Sequence, residues 1–254
     1  MEEIAPGSIL QRMYLKNRLR RGRYKTFCEI GSGNGYVASI LLENGMIGKG
    51  FDLNKDACKN NTTKNKSFIE DGIYSVKNGN FFNEPIDEKF DIIISSMVIE
   101  HLNENEVRSY FENCKKYLNK RGKIIVLVPA CMTYWGIEDE IAGHYKRYEF
   151  SDFQQIAAAH SLKIVDIAGL TYPLSNIFFS ISNYLVKKNE AFKKNLSMQE
   201  QTVLSGNRNV KFKTSFPKYY KLFLNEVVMY PFYILQRIFK NNSNSMVIYC
   251  EFTF

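Results

Sequence analysis

The sequence predicts an α/β protein with a doubly wound, seven-stranded, mainly parallel sheet and a largely helical insertion before the last strand. Three observations support this. Short apolar runs alternate with helix-like stretches from residue 26 to about residue 170. A glycine-rich turn joins the first apolar run to the first helical stretch. A final apolar run, residues 246–252, follows residues 172–244, which are too long and too apolar for a structureless loop.

Apolar periodicity places the individual elements. Residues 90–95 form an unbroken apolar run, which is typical of a strand covered on both faces. Residues 104–118 carry apolar side chains at helical spacing, and Gly122 is expected to end that helix. The predicted strands are residues 26–30, 48–53, a stretch within 74–82, 90–95, 123–128, 162–167 and 246–252. The predicted helices are residues 36–43, 56–66, 104–118, 151–159, 174–186 and 219–239, the last interrupted by Pro231.

The net charge of +8 lies mainly in the two flanks of the chain. Residues 1–26 hold seven Lys and Arg against Glu2 and Glu3, whereas residues 27–171 hold 16 basic and 20 acidic residues. Residues 172–244 hold 11 basic and three acidic residues. Such a distribution favours an anionic partner, namely a phosphate-bearing metabolite, an anionic lipid or a nucleic acid, although a merely solvated basic surface would look the same.

These shifts in composition divide the chain into three parts. Residues 1–25 are expected to form a basic, helical N-terminal segment. Residues 26–171 together with 245–254 form the Rossmann-like domain, and residues 172–244 form a basic helical insertion that serves as a substrate cap or an interface.

Cysteine usage and hydropathy indicate the compartment. The five cysteines are scattered and contain no CxxC pair, which suits reduced thiols better than a disulfide framework or a zinc site. The chain has no apolar run of about 20 residues and no basic-then-apolar start. We therefore expect a cytoplasmic protein, with peripheral contact at the inner membrane surface as a further option.

The glycine turn, residues 29–35 (EIGSGNG), is the first candidate binding element. Gly31, Gly33 and Gly35 would let the backbone turn sharply and approach a ligand without interference from a Cβ atom. Asp52 ends the second strand, where a carboxylate can accept hydrogen bonds from both hydroxyls of a ribose. Glu29 would repel a pyrophosphate but can order the loop and receive an amino group. A turn with a purely structural role remains the alternative.

Together these residues resemble the class I (Rossmann-like) S-adenosylmethionine-dependent methyltransferases. Residues 29–35 are similar to their motif I, residues 50–53 to their ribose-binding acid, and residues 90–102 to their fourth strand and following turn. The resemblance covers roughly residues 25–170 plus the last strand. It implies S-adenosyl-L-methionine as cofactor and S-adenosyl-L-homocysteine as product. The cofactor contacts it implies are Glu29, Gly31, Ser32, Gly33, Asp52, Leu53, Asn80, Phe81, Ser95 and Ser96.

The chain departs from this family's pattern at the adenine site and at the turn after the fourth strand. The family's usual Gly-Asp pair is Gly79-Asn80 here, so the Asn80 amide oxygen would replace a carboxylate as the adenine contact. Phe81 would lie either against the adenine ring or in the protein core. In related quinone O-methyltransferases the turn holds a metal through two acids and a histidine. Glu100 and His101 match two of those ligands, but Met97 occupies the third position, so no metal is expected.

Residues 138–148 (EDEIAGHYKRY) resemble a segment of methyltransferases found with surface-polysaccharide biosynthesis genes. The resemblance makes His144, His101 and Glu100 the candidate catalytic residues, since a histidine side chain suits removal of an acceptor proton. Tyr145 and Arg147 are the candidate acceptor contacts. The alternatives are that His144 buttresses a lid, that Glu100 and His101 tie the turn to the next helix, and that Arg147 pairs with the neighbouring acids.

The expected reaction is O-methylation of an anionic small-molecule or glycan-linked acceptor, whether phosphorylated, nucleotide-linked, or of capsule or O-antigen type. A phosphate or phosphoramidate oxygen is included. A nucleic-acid methyltransferase is suggested by the arginines of residues 18–23, but the turn lacks the (N/D)PP(Y/F) motif, so a nucleic-acid partner is unlikely. A membrane-surface lipid or quinone methyltransferase, or a non-enzymatic membrane-surface protein, stays open because the apolar residues 174–186 and 227–239 are flanked by Lys and Arg. The oligomeric state is open.

Overall fold

The protein is built around one seven-stranded sheet that is mostly parallel. The computed structural model describes residues 5–20, 22–84, 86–205, 210, 216–217, 220 and 222–254. The strands are β1 (Thr26–Ile30), β2 (Ile47–Asp52), β3 (Tyr74–Asn78), β4 (Phe90–Ser96), β5 (Leu118–Pro129), β6 (Lys163–Leu170) and β7 (Val247–Thr253). Their order is β3-β2-β1-β4-β5-β7-β6, and β7 runs antiparallel to both of its neighbours. The predicted fold class is confirmed.

Helices cover both faces of the sheet and form most of the described insertion. They are α1 (Pro6–Leu19), α2 (Tyr36–Glu43), α3 (Lys55–Lys64), α4 (Lys66–Glu70), α5 (Glu104–Tyr117), α6 (Ile137–Ala142), α7 (Phe150–Ala159), α8 (Leu174–Ile177), α9 (Phe179–Glu190), α10 (Met198–Ser205) and α11 (Glu226–Ile238). Short 3₁₀ turns lie at Phe81–Asn83, Ile99–His101, Met132–Tyr134 and Ala191–Asn195. No helix in these described ranges is long and apolar enough to cross a membrane.

The strand order reverses between β1 and β4, and this reversal positions the site. β1 and β4 are adjacent and parallel, with Ile30 opposite Ser95. From β1 the chain winds outward through β2 and β3, and from β4 it winds the other way through β5. Loops that leave neighbouring strands in opposite directions open a crevice at the carboxyl ends of those strands. The glycine turn and the Ser95–His101 turn border this crevice.

The unbroken apolar run of β4 reflects burial on both faces. Ile92 and Ile94 belong to the core layer on one face of the sheet, whereas Ile93 belongs to the layer on the other. All three side chains are fully buried. Side chains alternate between faces along a strand, so a central strand needs apolar residues at consecutive positions.

Several predicted boundaries are wrong; for example, the predicted helix 174–186 is two helices, α8 and α9, and β6 continues to Leu170. β5 begins at Leu118, immediately after α5, and runs through Gly122; pairing of Leu118 with Phe90 replaces the expected turn. Helix α7 begins at Phe150, where the Asp152 side chain accepts a 2.8 Å hydrogen bond from the Glu149 N–H and the Asp152 N–H donates to the Glu149 carbonyl. Helix α11 begins only at Glu226; residues 219 and 221 of the predicted helix lie outside the described part of the chain.

Several basic residues near the N-terminus are engaged within the protein. The Arg18 guanidinium donates two hydrogen bonds to Glu251, at 2.7 and 2.8 Å, and lies 3.3 Å from Asp166. Lys16 pairs with Glu226, and the Arg12 guanidinium lies 4.1 Å from the centre of the Tyr36 ring. These contacts fasten α1 to β7, to α11 and to the start of α2, so part of this charge stabilises the fold.

Candidate functional site

A single large cavity opens at the carboxyl ends of β1, β2 and β4. Its volume is about 1610 Å³, above the range of roughly 300–1,000 Å³ that is typical of sites for one drug-sized ligand. Twelve of the fifteen site residues predicted from the sequence line its wall: Gly31, Gly33, Asp52, Leu53, Asn80, Phe81, Ser96, Glu100, His101, His144, Tyr145 and Arg147. The cavity therefore has room for a donor and an acceptor together.

The glycine turn owes its shape to three positive backbone φ angles, at Gly31, Gly33 and Gly35. Gly31 has φ +72°, and a Cβ atom there would lie 2.4 Å from the Val98 side chain. Gly33 has φ +49°, and a Cβ atom there would meet nothing within 4 Å, so the main chain borders open space that a side chain would partly fill. The Gly33 N–H donates a 2.7 Å hydrogen bond to Oδ2 of Asp52, and the Asn54 N–H donates a 2.8 Å bond to Oδ1. The Asp52 carboxylate is thus held at the rim of the turn.

Glu29, Ser32 and Ser95 lie behind the cavity wall. Glu29 is buried, and its Oε2 has no hydrogen-bond partner among the described residues. Burial and the nearby Asp52 carboxylate raise the pKa of Glu29 well above its ordinary value. Ser32 is buried beside Gly50, and Ser95 accepts a 2.8 Å hydrogen bond from the Tyr110 hydroxyl. These contacts order the strand ends, and direct cofactor contact by these three residues stays a prediction.

At the expected adenine position, Asn80 and Phe81 follow β3. The Asn80 side-chain oxygen accepts a 3.0 Å hydrogen bond from the Phe82 N–H and so caps a short 3₁₀ turn. Phe81 is buried and meets Phe51 and Tyr117 edge-on at centroid distances of 5.4 and 5.3 Å. Phe81 therefore serves mainly as a core aromatic that reaches the wall with its edge.

Two histidines from separate turns meet on the opposite wall. The rings of His101 and His144 are arranged edge-to-face with centroids 4.7 Å apart. Nδ1 of His144 lies 2.9 Å from Oδ1 of Asp139, and Nε of Arg147 donates a 2.9 Å hydrogen bond to the same oxygen. Arg147 also donates to the carbonyl of Ala130. Arg147 thus pairs with an acid of its own segment, and its contact with an acceptor stays a prediction.

Sequence reasoning named Asp139 only as one of three possible partners for Arg147. The structure shows that Asp139 is completely buried and that it binds both His144 and Arg147. Its other oxygen accepts a hydrogen bond from the Gly136 N–H, as a residue in the first turn of α6 can. Gly143 then reverses the chain with φ +73° and returns His144 to the acid. In the sequence, the three consecutive acids 138–140 shortly before Gly143-His144 were the signal that could have identified Asp139 as the partner of His144.

Burial sets the protonation of this cluster. Although burial opposes it, hydrogen bonds from His144 and Arg147 hold the pKa of Asp139 below its ordinary value. Burial raises the pKa of Glu100 to about 7, and both of its carboxyl oxygens are buried without a hydrogen-bond partner in the described structure. Burial and the adjacent His144 lower the pKa of His101 to about 3. The Asp139 carboxylate can accept a hydrogen bond from the Nδ1–H of His144, and in that tautomer Nε2 is the ring nitrogen that can accept a proton.

The cluster also has the composition of a metal site. Glu100, His101 and His144 each offer a ligand atom, and these atoms lie within 4.8 Å of one another. Nδ1 of His101 lies 3.3 Å from the Thr202 hydroxyl and Nδ1 of His144 lies 2.9 Å from Oδ1 of Asp139, so each histidine has a partner on that nitrogen. A ligating histidine needs one nitrogen for the metal, with the other on a supporting partner. The expectation of no metal stays a prediction.

The outer part of the cavity is formed by the insertion, α1 and the turn before α11. Its apolar side chains from residues 172–244 are Leu174, Phe178, Phe179, Ile181, Leu185, Met198, Phe216, Tyr220 and Leu224. We call this part the acceptor chamber. Arg147 is the one Lys or Arg among the described wall residues. Helix α10 closes over the site, since the Asn54 amide donates a 2.8 Å hydrogen bond to the carbonyl of Val203.

Comparison with known proteins places this geometry in context. Residues 5–167 match a family model described as "Methyltransferase domain". A comparison with curated proteins gave no match.

Solved structures with this fold include three methyltransferases. An S-adenosylmethionine-dependent methyltransferase from Clostridium acetobutylicum ATCC 824 has a TM-score of 0.50 and 13% identity over 63% of this chain and 82% of its own. Mitomycin 7-O-methyltransferase MmcR has a TM-score of 0.50 and 12% identity over 63% of this chain and 50% of its own. The glycopeptide N-methyltransferase MtfA, in complex with S-adenosyl-L-methionine, has a TM-score of 0.50 and 11% identity over 62% and 79%. At identities this low, the structural similarity shows that the chain shares the fold of these proteins and nothing more specific.

Proposed function

Because the chain belongs to the methyltransferase-domain family that its residues 5–167 match, we propose that it methylates an oxygen of a small-molecule or glycan-linked acceptor. The observation that carries this proposal is the Asp139–His144 pair, with 2.9 Å between Oδ1 and Nδ1 in the wall of the cavity. A carboxylate that orients a histidine through Nδ1 is the arrangement expected of a general base. S-adenosyl-L-methionine is the cofactor, and it supplies an electrophilic methyl group on a sulfonium.

The residues at the carboxyl ends of β1 to β4 fit this cofactor. The main chain at Gly33 borders open space, where N–H groups at the start of α2 can receive a carboxylate. Asp52 projects from the end of β2 and has lone pairs left for ribose hydroxyls, since each oxygen accepts one backbone bond. Asn80 and the edge of Phe81 face the adenine. Glu29 keeps the turn ordered from behind.

The chain's own part in the transfer is to position the acceptor and to receive its proton. An acceptor hydroxyl would donate to Nε2 of His144, and its proton would move to this nitrogen as the oxygen–methyl bond forms and the sulfur–methyl bond breaks, with S-adenosyl-L-homocysteine as the leaving group. Asp139 stabilises the resulting imidazolium, and Arg147 holds Asp139 in place. His101 stays neutral because burial disfavours its protonated form, so it does not compete for the proton. An acceptor oxygen that is already ionised, such as a phosphate oxygen, would need only the positioning.

The acceptor chamber supports an acceptor with a sizeable apolar part. The chamber's described insertion residues are mostly aliphatic or aromatic. Phe216 and Tyr220 belong to the wall, and residues 208–221 carry five basic residues and no acid: Arg208, Lys211, Lys213, Lys218 and Lys221. These charges favour an acceptor that also bears a phosphate or another anionic group. Surface-glycan precursors of the phosphorylated, nucleotide-linked or lipid-linked kind combine these properties.

The test is to incubate the protein with methyl-labelled S-adenosyl-L-methionine and separate pools of nucleotide sugars, lipid-linked sugars and polysaccharide. We expect label in one pool, with mass spectrometry placing the methyl group on oxygen. His144→Gln should lose the label, whereas His160→Gln should retain it, because His160 pairs with Glu112 outside the cavity wall. A methyl group on nitrogen or carbon would contradict the proposal, and so would equal labelling by both variants.

A further inference from the structure

Helix α11 turns an apolar face outward. Its inward face is fixed by Met229, Tyr233 and Gln236, all buried. The Gln236 side chain donates a 3.2 Å hydrogen bond to the carbonyl of Leu10 in α1 and accepts a 2.7 Å bond from the Thr171 N–H after β6. These two contacts set the rotation of the helix about its axis.

The opposite stripe of α11 is exposed and carries no charge. Val227, Pro231 and Ile238 follow at spacings of four and seven residues, so they lie on one side. Val227 is 83% exposed and Ile238 is 67% exposed. A surface helix of a globular protein ordinarily places polar residues on this side. Tyr230, Leu235 and Phe239 widen the exposed apolar area at its flanks.

This face continues toward the mouth of the acceptor chamber. Leu222 and Phe223, just before α11, are exposed, and the next residue, Leu224, lines the cavity. At the other end of α11, the Phe239 ring meets the Tyr172 ring at 5.4 Å, and the Asn176 amide donates to the carbonyl of Asn244. Ile177, which is exposed, and Phe178, which lines the cavity, therefore lie close to the C-terminal end of α11.

The charges that flank α11 in the sequence indicate what covers it. Residues 208–221, which precede it, carry five Lys or Arg and no acid, and Arg237 and Lys240 stand at its end. The one acid of the helix, Glu226, is paired with Lys16. An apolar stripe bordered by basic residues matches the interface of a bilayer with anionic headgroups, where side chains enter the acyl boundary and cations meet phosphates.

We propose that the outer face of α11 binds an anionic membrane surface, and that the acceptor chamber receives a phosphate-bearing lipid from that membrane, with the apolar part of the lipid against the chamber wall. The second part rests on the proposed methyl transfer, whereas the first does not. A helix lying in the headgroup region would hold the chamber mouth, at Leu224 and Phe178, beside the lipid surface. An apolar acceptor could then enter without crossing water.

The experiment is co-sedimentation of the full chain with vesicles of phosphatidylcholine alone or mixed with phosphatidylglycerol. We expect binding to the anionic vesicles and several-fold weaker binding at high salt, because screening shortens the reach of the basic residues. The double variant Val227→Ser/Ile238→Ser should bind about tenfold or more weakly, since it removes the most exposed apolar side chains. Arg237→Gln should weaken binding about fivefold.

The matched control is Ile47→Ser, since Ile47 is 56% exposed at the amino end of β2, away from α11. This variant should bind vesicles like the wild type. Equal binding of the double variant would overturn the proposal. So would an oligomer of the wild type that the double variant disrupts, since a second copy would then cover the face. Failure of vesicle binding with intact methylation of a water-soluble acceptor would refute only this inference. Vesicle binding without any transfer would refute the proposed function and the lipid acceptor with it, and would leave membrane binding by α11 supported.

Discussion

Replacing His144 by glutamine should lower turnover by at least about a hundredfold while leaving cofactor affinity unchanged. A positioned general base contributes about 10²–10⁴ in rate, and a hundredfold loss corresponds to about 2.7 kcal/mol of transition-state stabilisation. Glutamine has no nitrogen that accepts a proton near neutral pH. His144 lies across the cavity from the glycine turn, so the loss should appear in kcat and not in the dissociation constant of S-adenosyl-L-homocysteine.

The structural cost of this change follows from the same contact. His144 and Asp139 are both largely buried, with Oδ1 2.9 Å from Nδ1. A hydrogen bond to a charged group contributes about 1.5–3 kcal/mol, and for a chain of this size that lowers Tm by roughly 3–12 °C. The loss of turnover at a temperature well below Tm is therefore separable from unfolding.

Asp139→Asn and His160→Gln complete the series. An amide at position 139 no longer stabilises the imidazolium, so turnover should fall although His144 is present. His160 Nδ1 lies 2.7 Å from Oε1 of Glu112 in a pair of the same kind outside the cavity wall, so His160→Gln should leave kcat unchanged. The assay is single-turnover transfer of labelled methyl to the acceptor found by screening. Wild-type turnover in His144→Gln, or an equal loss in His160→Gln, would refute a catalytic role for His144.

Two further predictions concern Glu100 and its neighbours. The pKa of Glu100 is raised to about 7 by burial, so its folded form binds a proton more tightly than its unfolded form. The contribution of Glu100 to the free energy of unfolding is therefore fully present below about pH 4.5 and is lost as the pH rises through 7. The loss is of the order of 3 kcal/mol. Denaturant unfolding should show that Glu100→Gln lacks this loss; identical pH profiles for both proteins would show that Glu100 is ionised in the fold. Removal of divalent metals with EDTA should leave turnover unchanged, because Met97 provides no carboxylate at the position where the resemblance places the third ligand. Loss of turnover that zinc or magnesium restores would establish a metal at Glu100, His101 and His144.

The sheet could be predicted from the sequence because its signals are local. The apolar run of β4 and the glycines after β1 report the burial and backbone conformation of their own positions. The start of β5 could not be predicted, because Leu118 joins the strand through pairing with Phe90 of β4, which is distant in the sequence. That long-range pairing outweighs the local preference of glycine for a turn.

The cofactor half of the site was more accessible to sequence reasoning than the acceptor half. Gly31, Gly33 and Asp52 lie within two adjoining strand ends, so the fold class alone brings them together. The Asp139–His144 pair depends on the left-handed turn at Gly143, and its meeting with His101 depends on the packing of separate loops. The apolar chamber depends on how the insertion folds back over the sheet, for which the sequence has no local signal.

The central claim is that the cavity binds S-adenosyl-L-methionine through the glycine turn and Asp52. Thermal unfolding with added S-adenosyl-L-homocysteine tests it most directly, because a ligand that binds only the folded chain raises Tm by mass action. We expect S-adenosyl-L-homocysteine to raise Tm and NAD to have no effect. Gly33→Arg, which fills the open space beside the turn, and Asp52→Ala should each abolish the shift. Stabilisation by NAD without stabilisation by S-adenosyl-L-homocysteine would contradict the claim.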